Sequence, residues 1–196
     1  MWVVKLGGSL YQKDELTHWL EQLAVLSQKH PITIVPGGGP FADQVRQAQQ
    51  QYSFSDEHAH HMALLAMAQF GLTILSLSKN CEPLYYPTKS DAEPHPLSVW
   101  LPDKSLLSKS EISHNWKVTS DSLALWLAYQ LNADRLALVK QALPVGDLTI
   151  TELSDVGVID KAFPEMFSQY PVPSTLALAS DYEKVPSIFN NSMLAL

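Results

Sequence analysis

The chain has 196 residues, of which 46% are apolar and 17% are charged, so it is long enough to fold around a substantial core. Its formal net charge of −7 argues against a general nucleic-acid or anionic-membrane surface, but allows a local basic pocket for phosphates. The single cysteine, Cys81, excludes an intramolecular disulfide and a cysteine-rich metal site. No basic and apolar leader and no apolar run of membrane-spanning length is evident, so we expect a cytoplasmic protein.

The first predicted element is a buried strand that opens into a glycine loop. Residues 2–4 are apolar and β-favouring, and Lys5 would stand at the carboxyl end of the strand. Gly7, Gly8 and Ser9 follow, and glycine lets a ligand approach the backbone closely. In open α/β sheets, ligands bind outside the carboxyl ends of strands, where helix N-termini favour anions. The stretch fits either a phosphate-binding loop or an ordinary glycine turn.

The same order of elements is repeated next along the chain. Apolar residues at helical spacing over 16–26, with Asp14 as a cap, predict an amphipathic helix. Residues 32–35 favour a strand, which runs into the glycine loop of residues 36–40 and then a helical pattern to Tyr52. Two such units predict parallel βαβ construction with both loops at one edge of the sheet.

A third helix is predicted after the second unit, with Ser53 or Ser55 as its cap and Gly71 as its end, before a strand over 72–77. The proline-rich stretch around 81–104 is predicted to be an insertion or lid within a single domain over 1–196. The remaining predicted elements are a strand near 99–101, a helix over 117–129, a strand over 136–139, short helices over 151–155 and 160–170, and a strand over 176–179.

Two common nucleotide-binding motifs fail in this context. Gly37, Gly39 and Ala42 fit the G-x-G-x-x-A dinucleotide fingerprint, and Asp56 lies near the distance expected for a ribose-binding acid. That acid should end a strand, whereas Asp56 is predicted to begin a helix. No G-x-x-x-x-G-K-S/T phosphate loop occurs in the sequence. A dinucleotide-dependent oxidoreductase is therefore disfavoured.

Phosphoryl transfer requires positive charge and backbone N–H groups around the migrating phosphate, which two glycine loops and Lys5 would supply. Asp121 stands in the first turn of a predicted helix, beside Thr119 and Ser120. Its carboxylate could orient a lysine or hold a metal through water. Plain helix capping is the alternative explanation for this cluster of Ser, Thr and Asp.

Three segments lie in a characteristic order: KLGGS at Lys5–Ser9, VPGGGPFAD at Val35–Asp43 and VTSDSLALWLA at Val118–Ala128. In combination they resemble the amino-acid kinase family, which includes acetylglutamate kinase, aspartokinase and uridylate kinase. The resemblance implies an α/β fold, a three-layer αβα sandwich around a mainly parallel sheet. It also implies an ATP-dependent kinase that uses ATP with Mg²⁺.

The resemblance assigns a role to each matching residue. Lys5 would neutralise the transferring phosphoryl group, and Asp121 would organise the catalytic lysines. The donor phosphates would be held by Gly7, Gly8 and Ser9, and the acceptor and γ-phosphate would be bordered by Gly37, Gly38 and Gly39. Thr119, Ser120 and Lys140 complete the predicted nucleotide-binding set.

Within this family, the short length and the segment SDEHAHHMALLAMAQFG at Ser55–Gly71 are most similar to a small branch, the kinases of methanofuran biosynthesis. Those kinases convert [5-(aminomethyl)furan-3-yl]methyl phosphate to the diphosphate, so this phosphate is the first expected acceptor. The helix over 55–67 would then line the acceptor site.

Two family motifs are missing from their expected places. The V-D-G-x-Y nucleotide motif after the strand ending near Val139 is replaced by VKQALP, and the late G-G-M-x-x-K segment with a second catalytic lysine is absent. Lys140 or Lys161 would have to supply that lysine. These departures favour the alternative of a degenerate nucleotide- or metabolite-sensing module of the same fold.

His58, His60 and His61 do not predict a metal site, because no acid or cysteine stands at a characteristic ligand spacing. Polar helix surface, or contact with an acidic acceptor, is expected for them. Trp116, like most of the other tryptophans, is expected in the core or at an interface. The expected partners are a small-molecule acceptor and other copies of the chain, without nucleic acid or membrane.

Overall fold

The computed structural model describes residues 1–86 and 95–190. The described strands form one parallel sheet in the order β3-β4-β2-β1-β5-β6. The strands are β1 (Trp2–Leu6), β2 (Ile32–Pro36), β3 (Glu82–Leu84), β4 (Leu97–Trp100), β5 (Arg135–Lys140) and β6 (Ser174–Leu178). Because all strands run in one direction, the loops after β1, β2 and β5 share one edge of the sheet.

Helices cover both faces of this sheet, so the predicted three-layer αβα sandwich around a mainly parallel sheet is confirmed. They are α1 (Asp14–Leu26), α2 (Gly39–Tyr52), α3 (Asp56–Leu77), α4 (Ser120–Gln130), α5 (Ile150–Asp155), α6 (Phe163–Gln169) and α7 (Val185–Asn190). Short 3-10 helices occur at Gly8–Leu10, Lys104–Ser108 and Ala179–Lys184.

Alternation along the strands divides the core into two clusters. Val3 of β1 and Leu138 of β5 pack in the cluster that contains α4, which we call the α4 face. Val4 and Val139 pack on the opposite face, in the cluster that contains α1. Since side chains alternate along a strand, Lys5 lies on the same side of the sheet as Val3. This parity directs Lys5 to the α4 face.

The predicted strand over 72–77 is wrong, because α3 continues to Leu77 and Gly71 lies inside it. A Cβ at Gly71 would stand 2.4 Å from Leu101 Cδ2 and 3.3 Å from Val99 Cγ1. Glycine at this position therefore permits close packing of α3 on the strand segment beneath it, and it does not end the helix. Tertiary packing here outweighs the low helix propensity of glycine.

The proline-rich stretch contributes more to the sheet than its composition predicts. β3 was not predicted, and β4 occupies 97–100, two residues before the predicted start at 99. Pro87 and Pro94 of the predicted insertion lie outside the described residues. At α1, Lys13 rather than Asp14 is the N-cap, and Asp14 stands in the first turn, where its charge favours the helix dipole.

Helix α3 is long and apolar enough, by length and composition, to cross a membrane, which differs from the expectation that no such run is present. In this fold, Leu64 and Met67 of α3 are buried in the α4-face cluster, and Phe70 and Ile74 are buried in the opposite cluster. Helix α3 therefore packs against both core clusters, and it leaves Met62, Leu65 and Leu72 exposed.

Candidate active site

Two lysines converge on one carboxylate at the carboxyl edge of the sheet. Lys5 Nζ lies 2.9 Å from Asp121 Oδ1, and Lys140 Nζ lies 2.5 Å from Asp121 Oδ2. Lys5 and Asp121 are 5% and 4% exposed, so the pair is buried. The structure thus brings together the first-strand lysine, the helix-α4 acid and Lys140, whereas Lys161 lies apart and pairs with exposed Asp155.

Lys5 and Lys140 reach Asp121 together because of the register of the β1–β5 pair and the alternation of side chains along each strand. Lys5 is paired with Leu138 across the β1–β5 ladder, and Lys140 lies two residues further along β5. Residues two apart point to the same face, so Lys140 and Lys5 both reach the α4 face. Asp121 stands in the first turn of α4, on that same face. The β1–β5 pairing therefore places two cations against one helix N-terminus.

Charge and burial have opposite effects on the pKa of Asp121. Burial alone would raise the pKa of Asp121, but the charges of Lys5 and Lys140 outweigh burial and lower it to about 2. Burial and the neighbouring Lys5 lower the pKa of Lys140, against the opposing attraction of Asp121. The two ammonium groups of Lys5 and Lys140 favour an anionic ligand at this edge of the sheet.

Lys5 lies at the carboxyl end of β1, as the sequence predicts, and its burial there makes it part of the folded core as well as of the site. Lys5 does not lie at the surface of the strand end, but is enclosed and ion-paired. Removing the charge of Lys5 is therefore expected to be destabilising, because buried Asp121 would keep only one of its two compensating lysines.

A fourth charged residue, Asp160, was not anticipated. Its carboxylate accepts hydrogen bonds from the backbone N–H groups of Thr119 and Ser122, each at 2.9 Å, and from the Thr119 hydroxyl. Burial and the negative charge of Asp121 raise its pKa. Asp160 thereby fixes the start of α4, the helix turn that carries Asp121. No local pattern marks this residue, because its partners lie about forty positions earlier in the chain.

The two predicted glycine loops contact one another through their backbones. A Cβ at Gly8 would stand 2.3 Å from Gly39 N, and a Cβ at Gly37 would stand 2.3 Å from Gly8 N. Gly39 has a positive φ of 55°, a conformation that favours glycine. Lys5 Nζ lies 3.5 Å from the position of a Cβ at Gly7. Glycine is thus required where the loops meet, beside the lysine.

A cavity of about 440 Å³ opens next to these loops. The structure brings several predicted site residues to its wall, namely Gly8, Ser9, Gly38, Gly39, Thr119 and Ser120. Lys5, Gly7, Gly37, Asp121 and Lys140 are not among its lining residues and lie behind it or beside it. The cavity extends outward between α2, the first half of α3 and the segment before α4.

The outer wall of the cavity is a set of linked side chains that the sequence did not single out. Trp116, expected in the core or at an interface, lines the cavity and donates from Nε1 to Gln49 Oε1 at 2.6 Å. The Arg46 guanidinium lies 4.4 Å from the centre of the Trp116 ring and pairs with Asp43 at 2.8 Å. These contacts attach the segment before α4 to helix α2.

The three neighbouring histidines have different surroundings. His58 is exposed and its Nδ1 hydrogen-bonds to Ser55 Oγ at 2.7 Å, as a polar helix surface predicts. His60 is instead 5% exposed, lines the cavity and stacks on His114, with 5.1 Å between ring centres. Burial, followed by the charge of His114, lowers the pKa of His60 to about 4. His60 is therefore a neutral side chain at neutral pH.

Comparison with known proteins agrees with this geometry. The model of the amino acid kinase family matches residues 1–83, which contain Lys5 and both glycine loops. The resemblance to this family indicated by the motifs is therefore confirmed.

A relative and two solved structures extend the match to nearly the whole chain. The chain is 28% identical to the [5-(aminomethyl)furan-3-yl]methyl phosphate kinase of Methanocaldococcus jannaschii, over 96% of this chain and 92% of the relative. Uridylate kinase from Archaeoglobus fulgidus has a TM-score of 0.70 and 15% identity, with 95% of each chain covered. UMP kinase from Ureaplasma parvum also gives 0.70, at 13% identity over 99% of this chain and 96% of that protein. These two structures share the fold.

Proposed function

We propose that this protein is a kinase that transfers the γ-phosphoryl group of ATP to a small acceptor bearing a phosphate or a carboxylate. The observation that carries the proposal is the buried Lys5–Asp121–Lys140 cluster beside two glycine loops in backbone contact. The kinase relatives support the reaction class. We propose [5-(aminomethyl)furan-3-yl]methyl phosphate as the acceptor, because the relative named for it aligns over almost the whole chain.

In this proposal, the chain supplies positive charge and positioning for an in-line transfer. Lys5 and Lys140 place their ammonium groups at the sheet edge, and Asp121 holds both in position. Backbone N–H groups of the two glycine loops would bind phosphate oxygens, since glycine leaves the backbone open to them. A direct transfer needs no nucleophilic side chain.

The site has groups that suit the phosphates of a nucleotide, but few side chains that could bind a metal ion. The ammonium groups of Lys5 and Lys140 and the half-buried backbone of Gly8 suit donor phosphates, and we assign Gly7, Gly8 and Ser9 to hold them. ATP with Mg²⁺ would supply the phosphoryl group and the divalent charge that shields its oxygens. Within residues 1–86 and 95–190, no group of three His, Cys, Asp or Glu side chains could hold a metal ion. The ion would therefore rely mainly on phosphate oxygens.

The charge and the surface of the chain bear on its partners and its location. The net charge of −7 supports a small-molecule partner over nucleic acid, and we propose a cytoplasmic location. A homo-oligomer is proposed because α3 exposes Met62, Leu65 and Leu72, a stripe of the kind that subunit contacts cover.

The proposed function is tested by turnover of ATP with the aminomethylfuran phosphate, in the wild type and in Lys5→Met. Methionine keeps most of the apolar volume and removes the charge at the transferring group. We expect turnover to fall about 100-fold or more, the scale seen when one electrostatic contact to a transition state is lost. Product formation by phosphorus NMR is the measurement, with the melting temperature recorded to separate stability from catalysis.

Lys161→Met is the matched control, because Lys161 is exposed and, within residues 1–86 and 95–190, pairs with no acid other than surface Asp155. It should retain wild-type turnover. If Lys5→Met folds and keeps near-normal turnover, Lys5 has no catalytic role. Wild-type protein that binds ATP by calorimetry, yet transfers no phosphate to any acceptor, would favour the sensing module instead.

A further inference from the structure

Helix α2 lines the cavity from a glycine-rich inner end to a charged outer end. Gly39 begins α2 and its backbone lines the inner end of the cavity, and Arg46 lines the outer end seven residues later. At 1.5 Å of rise per residue, the two ends are roughly 10 Å apart along the helix axis. The cavity therefore suits an elongated small molecule with one end at the glycine loops.

Helix α3 forms the facing wall and becomes more polar outward. Asp56, His60, Ala63, Leu64 and Met67 all line the cavity. Their spacing of three and four residues places them on one face of the helix. The carboxylate stands at the first turn and the apolar side chains stand deeper, so an acceptor's apolar body and its outer polar group meet different parts of α3.

The wall at the outer end of the cavity has two acidic side chains and one basic side chain. Asp43 and Arg46 neutralise each other in an ion pair of 2.8 Å. Asp56 accepts a hydrogen bond from the neutral Gln49 Nε2 at 2.8 Å. Within the parts of the chain that the structure describes, no Lys, Arg or His forms an ion pair with Asp56. The negative charge of Asp56 is therefore not balanced by a basic side chain of this wall.

A second observation at the same wall points to a ligand. His60 lies one helical turn after Asp56, is 5% exposed and lines the cavity. Its Nε2 is buried and has no hydrogen-bond partner among the described residues. A buried polar atom left without a partner costs free energy, which a ligand group can recover by bonding to it. The lowered pKa keeps this ring neutral, so it adds no repulsion toward a cation.

We propose that Asp56 and His60 form a subsite for a primary ammonium group at the outer end of the acceptor. The subsite rests on the proposed kinase function and specifies its substrate class: an elongated acceptor with an anionic end at the glycine loops and a cationic end on α3. Asp56 supplies the charge, and the neutral imidazole supplies a hydrogen-bonding group. Acceptors that lack the amine are discriminated against, because they leave both side chains uncompensated.

The experiment compares two acceptors that differ only in this group: [5-(aminomethyl)furan-3-yl]methyl phosphate and its analogue with a hydroxymethyl group in place of the aminomethyl group. KM and kcat for each are measured in the wild type and in Asp56→Asn. We expect Asp56→Asn to raise KM for the amine about tenfold, while KM for the hydroxymethyl analogue changes less than about twofold, because one charge-assisted contact is lost.

Glu57→Gln is the matched control, since Glu57 shares the first turn of α3 but does not line the cavity. It should change neither KM. An equal change for both acceptors in Asp56→Asn, or no change for either, would overturn the subsite. Calorimetric binding of the two acceptors without ATP gives the same comparison independently of turnover. If the wild type binds the amine selectively but transfers no phosphate, the kinase proposal fails and the subsite stands.

Discussion

Asp160 holds the first turn of α4, and this turn carries Asp121, which positions the two lysines. It accepts hydrogen bonds from Thr119 and Ser122, on either side of Asp121. Because its pKa is raised by burial and by Asp121, its ionised form depends on these donors and on the nearby lysines. Asp160 is therefore a positioning residue for the lysine cluster.

Asp160→Asn should lower both stability and turnover. The amide cannot accept from all three donors, so buried N–H or O–H groups of α4 lose a partner, at about 1–3 kcal/mol of unfolding free energy. Displacement of Asp121 should lower kcat more than it raises KM for the acceptor. Urea unfolding and steady-state kinetics measure the two effects.

Asp155→Asn is the comparison for that variant, because Asp155 is exposed and forms an ion pair with Lys161 at the surface. Equal behaviour of the two variants would contradict a positioning role for Asp160. A stability loss with unchanged kcat would reduce Asp160 to a structural residue.

At the scale of elements, the active edge depends on two loops whose backbones touch. The β1 loop and the β2 loop are brought together by the parallel β1–β2 ladder, which pairs Lys5 with Val35 and Leu6 with Pro36. Gly8 and Gly37 then lie too close to accommodate any side chain. The contact is backbone against backbone, so no flexible side chain can move away to relieve it.

Gly8→Ala should therefore be more harmful than Gly7→Ala. The nearest atom to a new Cβ is Gly39 N at 2.3 Å for Gly8, but Val139 O at 3.2 Å for Gly7. We expect Gly8→Ala to separate the loops, lower the melting temperature by several degrees and abolish tight ATP binding. Scanning calorimetry and ATP titration test this, and equal effects of the two substitutions would contradict the close approach.

At the scale of the whole molecule, the stability should depend on pH through His60. Its pKa falls from 6.5 to about 4 on folding, so between these values the unfolded chain binds more protons at this residue. The free energy of unfolding should thus decrease as the pH falls from about 6.5 toward 4. The carboxylate of Asp121, with a lowered pKa of about 2, loses its stabilising charge only at lower pH.

Replacing this buried imidazole by glutamine should remove part of the acid sensitivity. Urea unfolding of wild type and His60→Gln at pH 7 and pH 5 measures the difference, and we expect a smaller drop for His60→Gln. His18→Gln, at a half-exposed position, is the reference substitution. A drop in His60→Gln as large as that of the wild type would exclude His60 as the source.

Much of the fold and part of the site could be predicted from local sequence patterns. Short apolar, β-favouring runs followed by glycine loops identified β1 and β2, and helical periodicity identified α1, α2 and α4. The apolar run after Gly71 was misassigned, because helix and strand cannot be distinguished by periodicity in a short, continuously apolar segment. Motifs identified Lys5, which precedes two glycines, and Asp121, which lies among Ser and Thr residues.

By itself, the sequence determined that the chain forms parallel α/β units with two glycine loops, since strand and helix periodicity are local properties. Only the tertiary structure decided that Lys140 rather than Lys161 joins Lys5 at Asp121, and that Asp160 fixes the start of α4. It alone also decided that Asp56, His60 and Trp116 share one cavity. These relations depend on strand order, face and helix packing between distant segments, which no local pattern encodes.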